Sequence, residues 1–179
     1  MSIVGFKAQN HPQQTGKRGA KDAVDDRGTD PAEFAKIDAE FGPFTLDVAA
    51  SAVNTKCERF FSIDDDGLAQ SWAGERVWCN PPYSNIGAWV QKAWAEREGT
   101  HGIVMLLPAN RCEQKWWQEH VEPYRDRDPE FRVRFLPGRM RFIKAGSTSV
   151  GPNERPPFGC CLLIWPDNWR ARMRREGRI

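Results

Sequence analysis

The chain has 179 residues, 40% hydrophobic and 28% charged, with a formal net charge of +2, a balance that suits one globular domain with its own core. No apolar run approaches the roughly 18 residues of a membrane span, and the opening MSIVGFKAQNHPQQTGKRGAKD lacks the apolar stretch of a signal peptide. The expectation is a soluble, cytoplasmic protein with no membrane partner.

Residues 1–28 are polar and aperiodic and read as a flexible arm, which leaves 29–179 as a single domain. Thr29-Asp30-Pro31 predicts a helix start, with a capping side chain and proline in the first turn, and the helix runs to Phe41 before Gly42-Pro43. Phe44 to Ala49 reads as a buried strand. Ala50 to Lys56 reads as a small-residue loop or short helix, Glu58 to Ser62 as a second strand, and Ile63 to Leu68 as a turn leading to a short helical turn near Trp72. A strand at 76–79 ends on Asn80-Pro81-Pro82-Tyr83. Ile86, Trp89, Val90, Ala93 and Trp94 then recur at helical spacing and predict a helix over 86–97.

Ile103 to Leu107 is a continuous apolar run, the pattern of a central strand covered on both faces. Cys112 to Val121 predicts another helix. Phe131 to Leu136 alternates apolar residues with arginine, which predicts a half-exposed strand. Met140 to Ile143 suggests a short strand, 146–157 a glycine- and proline-rich loop, Phe158 to Trp165 a last buried strand, and WRARMRREGRI a basic tail. Strands alternating with helices predict an α/β three-layer sandwich. Its sheet is mostly parallel, with an antiparallel pair at one edge where two late strands have no helix between them.

Charge is uneven along the chain. Residues 29–100 hold six bases and twelve acids, whereas residues 101–179 hold fifteen bases and nine acids. Most of those late bases are arginines, whose forked guanidinium suits phosphate. A polyanion-facing surface and an ordinary solvated one both fit that count. Five cysteines, at 57, 79, 112, 160 and 161, form no C-x-x-C pair, so reduced thiols are expected. The histidines, His11, His101 and His120, are scattered, and neither a metal site nor a catalytic dyad is visible. The tryptophans at 78, 89, 94, 116 and 117 read as packing residues.

The chemistry concentrates where the 76–79 strand stops. In open α/β sheets ligands bind beyond the carboxyl ends of the strands, and Asp47 and Asn80 both fall at such ends. Asn80 offers an acceptor oxygen and an amide donor. Pro81 and Pro82 fix their own φ and bias the residue before each toward extended backbone. The product is a stiff corner with outward carbonyls, and Tyr83 adds a flat ring face. Such a corner can hold an aromatic amine: the Asn80 oxygen and the Pro81 carbonyl take its two hydrogens, and the nitrogen lone pair is aimed at an electrophile. A proline corner ending any buried strand is the plainer alternative.

Asn-Pro-Pro-Tyr after a strand is the signature of S-adenosylmethionine-dependent amino methyltransferases. The ordered set FGPFTLDVAAS, NTKC, DDDGLAQSW, RVWCNPPYSNIGAWVQKA, VMLLPAN and RFLPGRMRF resembles the phage-type DNA N6-adenine methyltransferases of the Dam family, from about residue 29 to about 165. The resemblance implies a Rossmann-like sheet, S-adenosylmethionine as cofactor and double-stranded DNA as substrate. The target adenine would be flipped out of the duplex, and a phage or prophage origin would place the protein in a host cytoplasm.

Residue by residue, the resemblance implies a catalytic role for Asn80, Pro81, Pro82 and Tyr83. It implies cofactor contacts at Asp47 and the following Val48 and Ala49, and at Asp66. Pro31 and Phe34 would lie on a helix closing over the methionine end of the cofactor. Arg111, Arg134, Arg139 and Arg141 are the candidate phosphate contacts. Asp47 could equally be a cap or turn acid, and Asp64 to Asp66 a solvated turn or a cation ligand set. Two departures stand out. Val48-Ala49-Ala50-Ser51 replaces the usual glycine-rich loop, and the short distance from Asp47 to Asn80 implies a reduced helix or strand. No long insertion offers a target-recognition domain, so loops 108–115 and 137–157 are expected to choose the DNA sequence. N4-cytosine methylation, protein-glutamine or RNA methylation, and a non-catalytic DNA-binding relative remain alternatives. The residues do not set the oligomeric state, whether monomer or weak dimer.

Overall fold

The structure is a computed structural model that describes residues 28–143, 158–168, 173–174 and 177–178. The proposed arm up to residue 27, loop 144–157 and most of the basic tail lie outside the described residues. Among the described residues there are eight strands and three helices: β1 (Gly28–Thr29), α1 (Pro31–Phe41), β2 (Leu46–Asp47), β3 (Arg59–Phe60), β4 (Val77–Cys79), α2 (Ile86–Glu96), β5 (Ile103–Pro108), α3 (Lys115–His120), β6 (Arg132–Phe135), β7 (Phe142–Ile143) and β8 (Cys160–Trp165).

Six strands form one sheet in the order β3-β2-β4-β5-β8-β6. β3, β2, β4 and β5 are mutually parallel. β8 runs antiparallel to both β5 and β6, so the expected antiparallel pair sits at that edge. β4 and β5 take the centre because Val77-Trp78-Cys79 and Ile103 to Pro108 are buried on both faces. Alternation along each strand divides the core in two. Val77, Cys79, Ile103, Met105, Leu107, Cys161, Leu163 and Trp165 face α2, whose buried residues are Ile86, Trp89, Val90 and Ala93. Trp78, Val104, Leu106, Cys160, Leu162 and Ile164 face Ile37 and Phe34 of α1. Cys160 and Cys161, adjacent in the chain, therefore enter opposite layers. Each fully buried aliphatic side chain contributes about 1.5–3 kcal/mol relative to exposure.

The helix start at Asp30 forms as its residues dictate: the Asp30 carboxylate accepts from the Ala32 amide at 2.7 Å, Pro31 opens the helix, and the Gly42 amide closes it onto the Asp38 carbonyl. Elsewhere the elements are shorter than the pattern predicts. β2 and β3 keep two residues each, and no helix connects them. The Asp47-to-Asn80 interval is short because it holds only β3 and β4 and no helix. The turn expected to become helical near Trp72 stays a turn, with the Ala69 amide on the Asp66 carbonyl.

One strand pairing was not expected. β7 does not join the main sheet; it forms a separate antiparallel ribbon with β1, Gly28 opposite Ile143 and Thr29 opposite Phe142. Gly28, taken from sequence as the end of the arm, is thus part of the ordered structure. The five cysteines are free thiols, with Cys112 alone exposed. Among the described residues no helix is long and apolar enough to cross a membrane, and no group of three or more potential metal ligands stands together.

Candidate active site

The register places Asp47, Asn80 and Pro108 at one edge of the sheet, the carboxyl ends of β2, β4 and β5. A cavity of about 1110 Å³ opens there, a size suited to a nucleoside-sized ligand. Asp47, Val48, Ala49, Asp66, Asn80 and Pro82 line it. The structure thus gathers most of the sequence-derived cofactor and corner residues around one space.

Asp47 is 3% exposed. Its carboxylate accepts from the Lys56 amide at 3.0 Å and the Ala49 amide at 3.4 Å, and its carbonyl accepts from Phe61 at 2.8 Å. These bonds hold the loop of small residues from Val48 open without the usual glycines. Gly67 closes the floor of that loop. A Cβ on it would stand 2.1 Å from the Val48 carbonyl oxygen and 3.1 Å from the Trp89 ring, and its carbonyl accepts from the Trp72 indole at 2.9 Å. Asp66, just before it, has φ of 52°, a left-handed conformation that aspartate tolerates better than most residues. Its side chain accepts from the Leu68 amide at 3.2 Å. Asp65 likewise ties to the Ser62 amide and hydroxyl at 2.8 and 2.7 Å, bonds that lower its pKa.

Burial raises the Asp47 pKa from 3.8 to about 6, against the lowering effect of the Lys56 and Ala49 amides and the Lys56 charge. The folded protein therefore holds this proton more tightly than the unfolded chain. Stability from this group is greatest below pH ~4 and declines as pH rises to ~6, by about 3 kcal/mol in all. Urea unfolding of the wild type and Asp47→Asn from pH 4 to 7.5 measures this: the wild type should lose stability relative to the variant as pH rises. A constant difference across that range would show that the carboxylate is not desolvated.

The corner follows β4 directly. Pro81 is buried and Asn80, Pro82 and Tyr83 are half-buried. The Pro82 carbonyl accepts from the Asn85 amide at 3.3 Å, which turns the chain into α2. Tyr83 does not line the cavity. It packs beside Phe158, with ring centroids 6.3 Å apart and planes at 59°. Pro31 is exposed at the start of α1, and Phe34 packs on Trp78 and Phe44 at 5.2 and 5.9 Å between centroids. Neither reaches the cavity wall. From that part of the chain the wall is formed by Gly28 and Thr29.

The candidate DNA arginines divide. Arg111 follows β5, and Arg139 and Arg141 lie between β6 and β7; none lines the cavity, and Arg139 borders a second hollow against α1 together with Arg134, Glu33 and Glu40. Arg134, within β6, pairs with Glu40 and lies over the Phe41 ring at 5.8 Å. Sequence reading missed Thr29, Lys56, Trp78 and Trp89 as cavity residues. Lys56 sits in the quoted NTKC segment. The two tryptophans serve as core and as wall, a double duty that helical or strand spacing does not signal.

These features define a class: a Rossmann-like α/β domain with its ligand cavity beyond the carboxyl ends of the parallel strands. The chain belongs to the Dam family of DNA N-6-adenine-methyltransferases, whose pattern matches residues 17–175. It is 39% identical over 100 residues to a DNA N-6-adenine-methyltransferase of Escherichia phage T1, covering 55% of this chain and 42% of that protein. It is 32% identical over 74 residues to a protein of the same description from Haemophilus phage HP1, covering 41% of this chain and 43% of that one. The matched part thus spans about two-fifths of the length of these relatives. The crystal structure of a candidate RNA methyltransferase from Pyrococcus horikoshii overlays with a TM-score of 0.48 at 10% identity, over 84% of this chain and 90% of that one, a likeness too remote to speak to chemistry.

Proposed function

We propose that this chain transfers a methyl group from S-adenosylmethionine to the exocyclic N6 amine of adenine in double-stranded DNA. The observation that carries the reading is that Asn80 and Pro82 of the corner line the same cavity as Asp47 and the loop that follows it. The cavity fits the cofactor in size. Two buried hydroxyls that line it, Thr29 and Ser51, have no hydrogen-bond partner among the described residues, as expected of groups that meet a polar ligand.

Asp47, Val48, Ala49, Asp66 and the Trp89 ring would hold the cofactor. When bound it supplies an electrophilic methyl on a sulfonium sulfur. The Asn80 side-chain oxygen and the Pro81 carbonyl accept the two hydrogens of the adenine amine and orient its lone pair. No strong base would be needed, since the methylated nitrogen is first a positively charged, acidic ammonium that loses its extra proton to solvent. Orientation of this kind can contribute roughly 7–11 kcal/mol. The adenine must leave the duplex, at a cost of a few kcal/mol, and the Tyr83 ring, backed by Phe158, offers it a flat surface. A phage or prophage origin, and action in the host cytoplasm, accord with the phage relatives.

The test is incubation with labelled S-adenosylmethionine and unmethylated DNA, followed by digestion to nucleosides. Label in N6-methyladenine is expected. Label in N4-methylcytosine would refute the substrate, and absence of label with the cofactor bound would refute DNA as the target.

Phosphate contacts make affinity salt-dependent, with a slope that falls by about one for each contact removed. Arg139→Ala and Arg111→Ala are each expected to reduce that slope by about one. Arg134→Ala should leave it unchanged, because Glu40 already occupies that guanidinium. Fluorescence-anisotropy titrations from 50 to 300 mM salt decide it; equal loss at all three positions would rule out this division of the arginines.

A further inference from the structure

The cavity wall includes two chemically different stretches. In one, Asp64, Asp65 and Asp66 follow Phe61 and Ser62. In the other, β1 comes down on the loop after β2, so closely that a Cβ on Gly28 would stand 3.2 Å from that of Asn54. Thr29 and Lys56 belong to this second stretch.

Lys56 is half-buried, and among the described residues its ammonium has no ion pair within 4 Å. Burial lowers its pKa, and the opposing attraction of Asp47 and Asp30 does not make up the difference. Thr29 is 1% exposed, and its hydroxyl has no hydrogen-bond partner among the described residues. A cation short of compensation that lines the same cavity as an unmatched hydroxyl makes a receptor for a small anion. A carboxylate, with about four lone-pair sites, can accept from both at once.

We propose that Lys56, together with the Thr29 hydroxyl, recognises the carboxylate at the amino-acid end of S-adenosylmethionine and thereby sets which way round the cofactor lies. The inference rests on reading the cavity as the cofactor site. It assigns a specificity role to a residue outside the strand-end corner and gives a use to the part of the cavity wall that β1 contributes. Ligands that lack the carboxylate are discriminated against there.

Calorimetric titration of the full chain tests it with two ligands. One is S-adenosylhomocysteine. The other is S-adenosyl-3-thiopropylamine, the same molecule without its carboxylate. The wild type should bind the first about ten- to hundredfold more tightly. Lys56→Met should remove that preference by weakening S-adenosylhomocysteine alone, with the decarboxylated ligand held within about twofold, and Lys56→Arg should restore part of it. Thr29→Val should weaken S-adenosylhomocysteine by up to about tenfold. Equal weakening of both ligands by Lys56→Met, or no weakening of either, would overturn the assignment. Circular dichroism checks that the variant is folded, and Lys56→Gln replaces it if not. Failure of the wild type to bind either ligand would instead sink the cofactor reading, and this inference with it. A wild type that binds both equally well refutes the carboxylate contact alone.

Discussion

Asn80→Ala is expected to lower kcat for methyl transfer to DNA by about a thousandfold while leaving S-adenosylhomocysteine affinity within a few-fold. The split follows from where Asn80 stands. It borders the cavity at the end of β4, and its proposed partner is the target amine, not the cofactor. Removing one of two fixed acceptors leaves the amine free to rotate, and its lone pair is then no longer aimed. A thousandfold loss corresponds to about 4 kcal/mol in the barrier, the usual scale for deleting one preorganised hydrogen-bonding group. Asn80→Asp keeps an acceptor oxygen at the same position and should lose less than the alanine variant. Single-turnover rates with saturating DNA, read alongside calorimetry, separate the two effects. An alanine variant that keeps full single-turnover rate would remove Asn80 from the chemistry. One that loses cofactor affinity in proportion to rate would make it a packing residue of the cavity.

Gly67→Ala carries the second large effect, on stability and on the cavity together. The new Cβ would meet the Val48 carbonyl oxygen at 2.1 Å, and that neighbour is backbone, so no rotamer change relieves the contact. Val48 is itself held, its amide donating to the Trp78 carbonyl at 3.1 Å. On the other side Gly67 accepts from Trp72, a fully buried indole. Either the 64–70 turn or the β2 loop must move. Overpacking of this kind costs about 1–3 kcal/mol, from which the alanine recovers about 0.4–1 kcal/mol by restricting the unfolded chain. A net loss of about 1–2 kcal/mol in urea unfolding is expected, with weaker S-adenosylhomocysteine binding because the displaced loop lines the cavity. Wild-type stability and affinity in the variant would show that the turn adapts freely.

Much of this arrangement is legible in one dimension. The apolar runs of β5 and β8 announce strands covered on both faces. Asp30-Pro31 announces the start of α1, and Ile86, Trp89, Val90 and Ala93 announce the buried face of α2. Asn80-Pro81-Pro82-Tyr83 marks a stiff corner because proline geometry is local. Each of these signals depends on neighbours within a few residues, so composition and spacing suffice to find them.

Other features had no such signal. β1 and β7 are two-residue strands from distant parts of the chain, too short for any periodicity to register. Phe34 looked like a residue of the cofactor end, yet its ring packs against Trp78 and Phe44, because the face of α1 that carries it meets the sheet. Arg134 counted among the free arginines until the fold brought Glu40 alongside it.

By itself, then, the sequence determined the α/β class, the order of most elements and the Asn-Pro-Pro-Tyr corner, all properties of local stereochemistry and hydrophobic pattern. Only the tertiary structure decided that Asp47 is desolvated, that Gly67 must lack a side chain, and that Thr29 and Lys56 line one cavity. Those outcomes depend on which distant backbone segments approach each other, and burial and electrostatics take their values from that approach rather than from the identity of the residues alone.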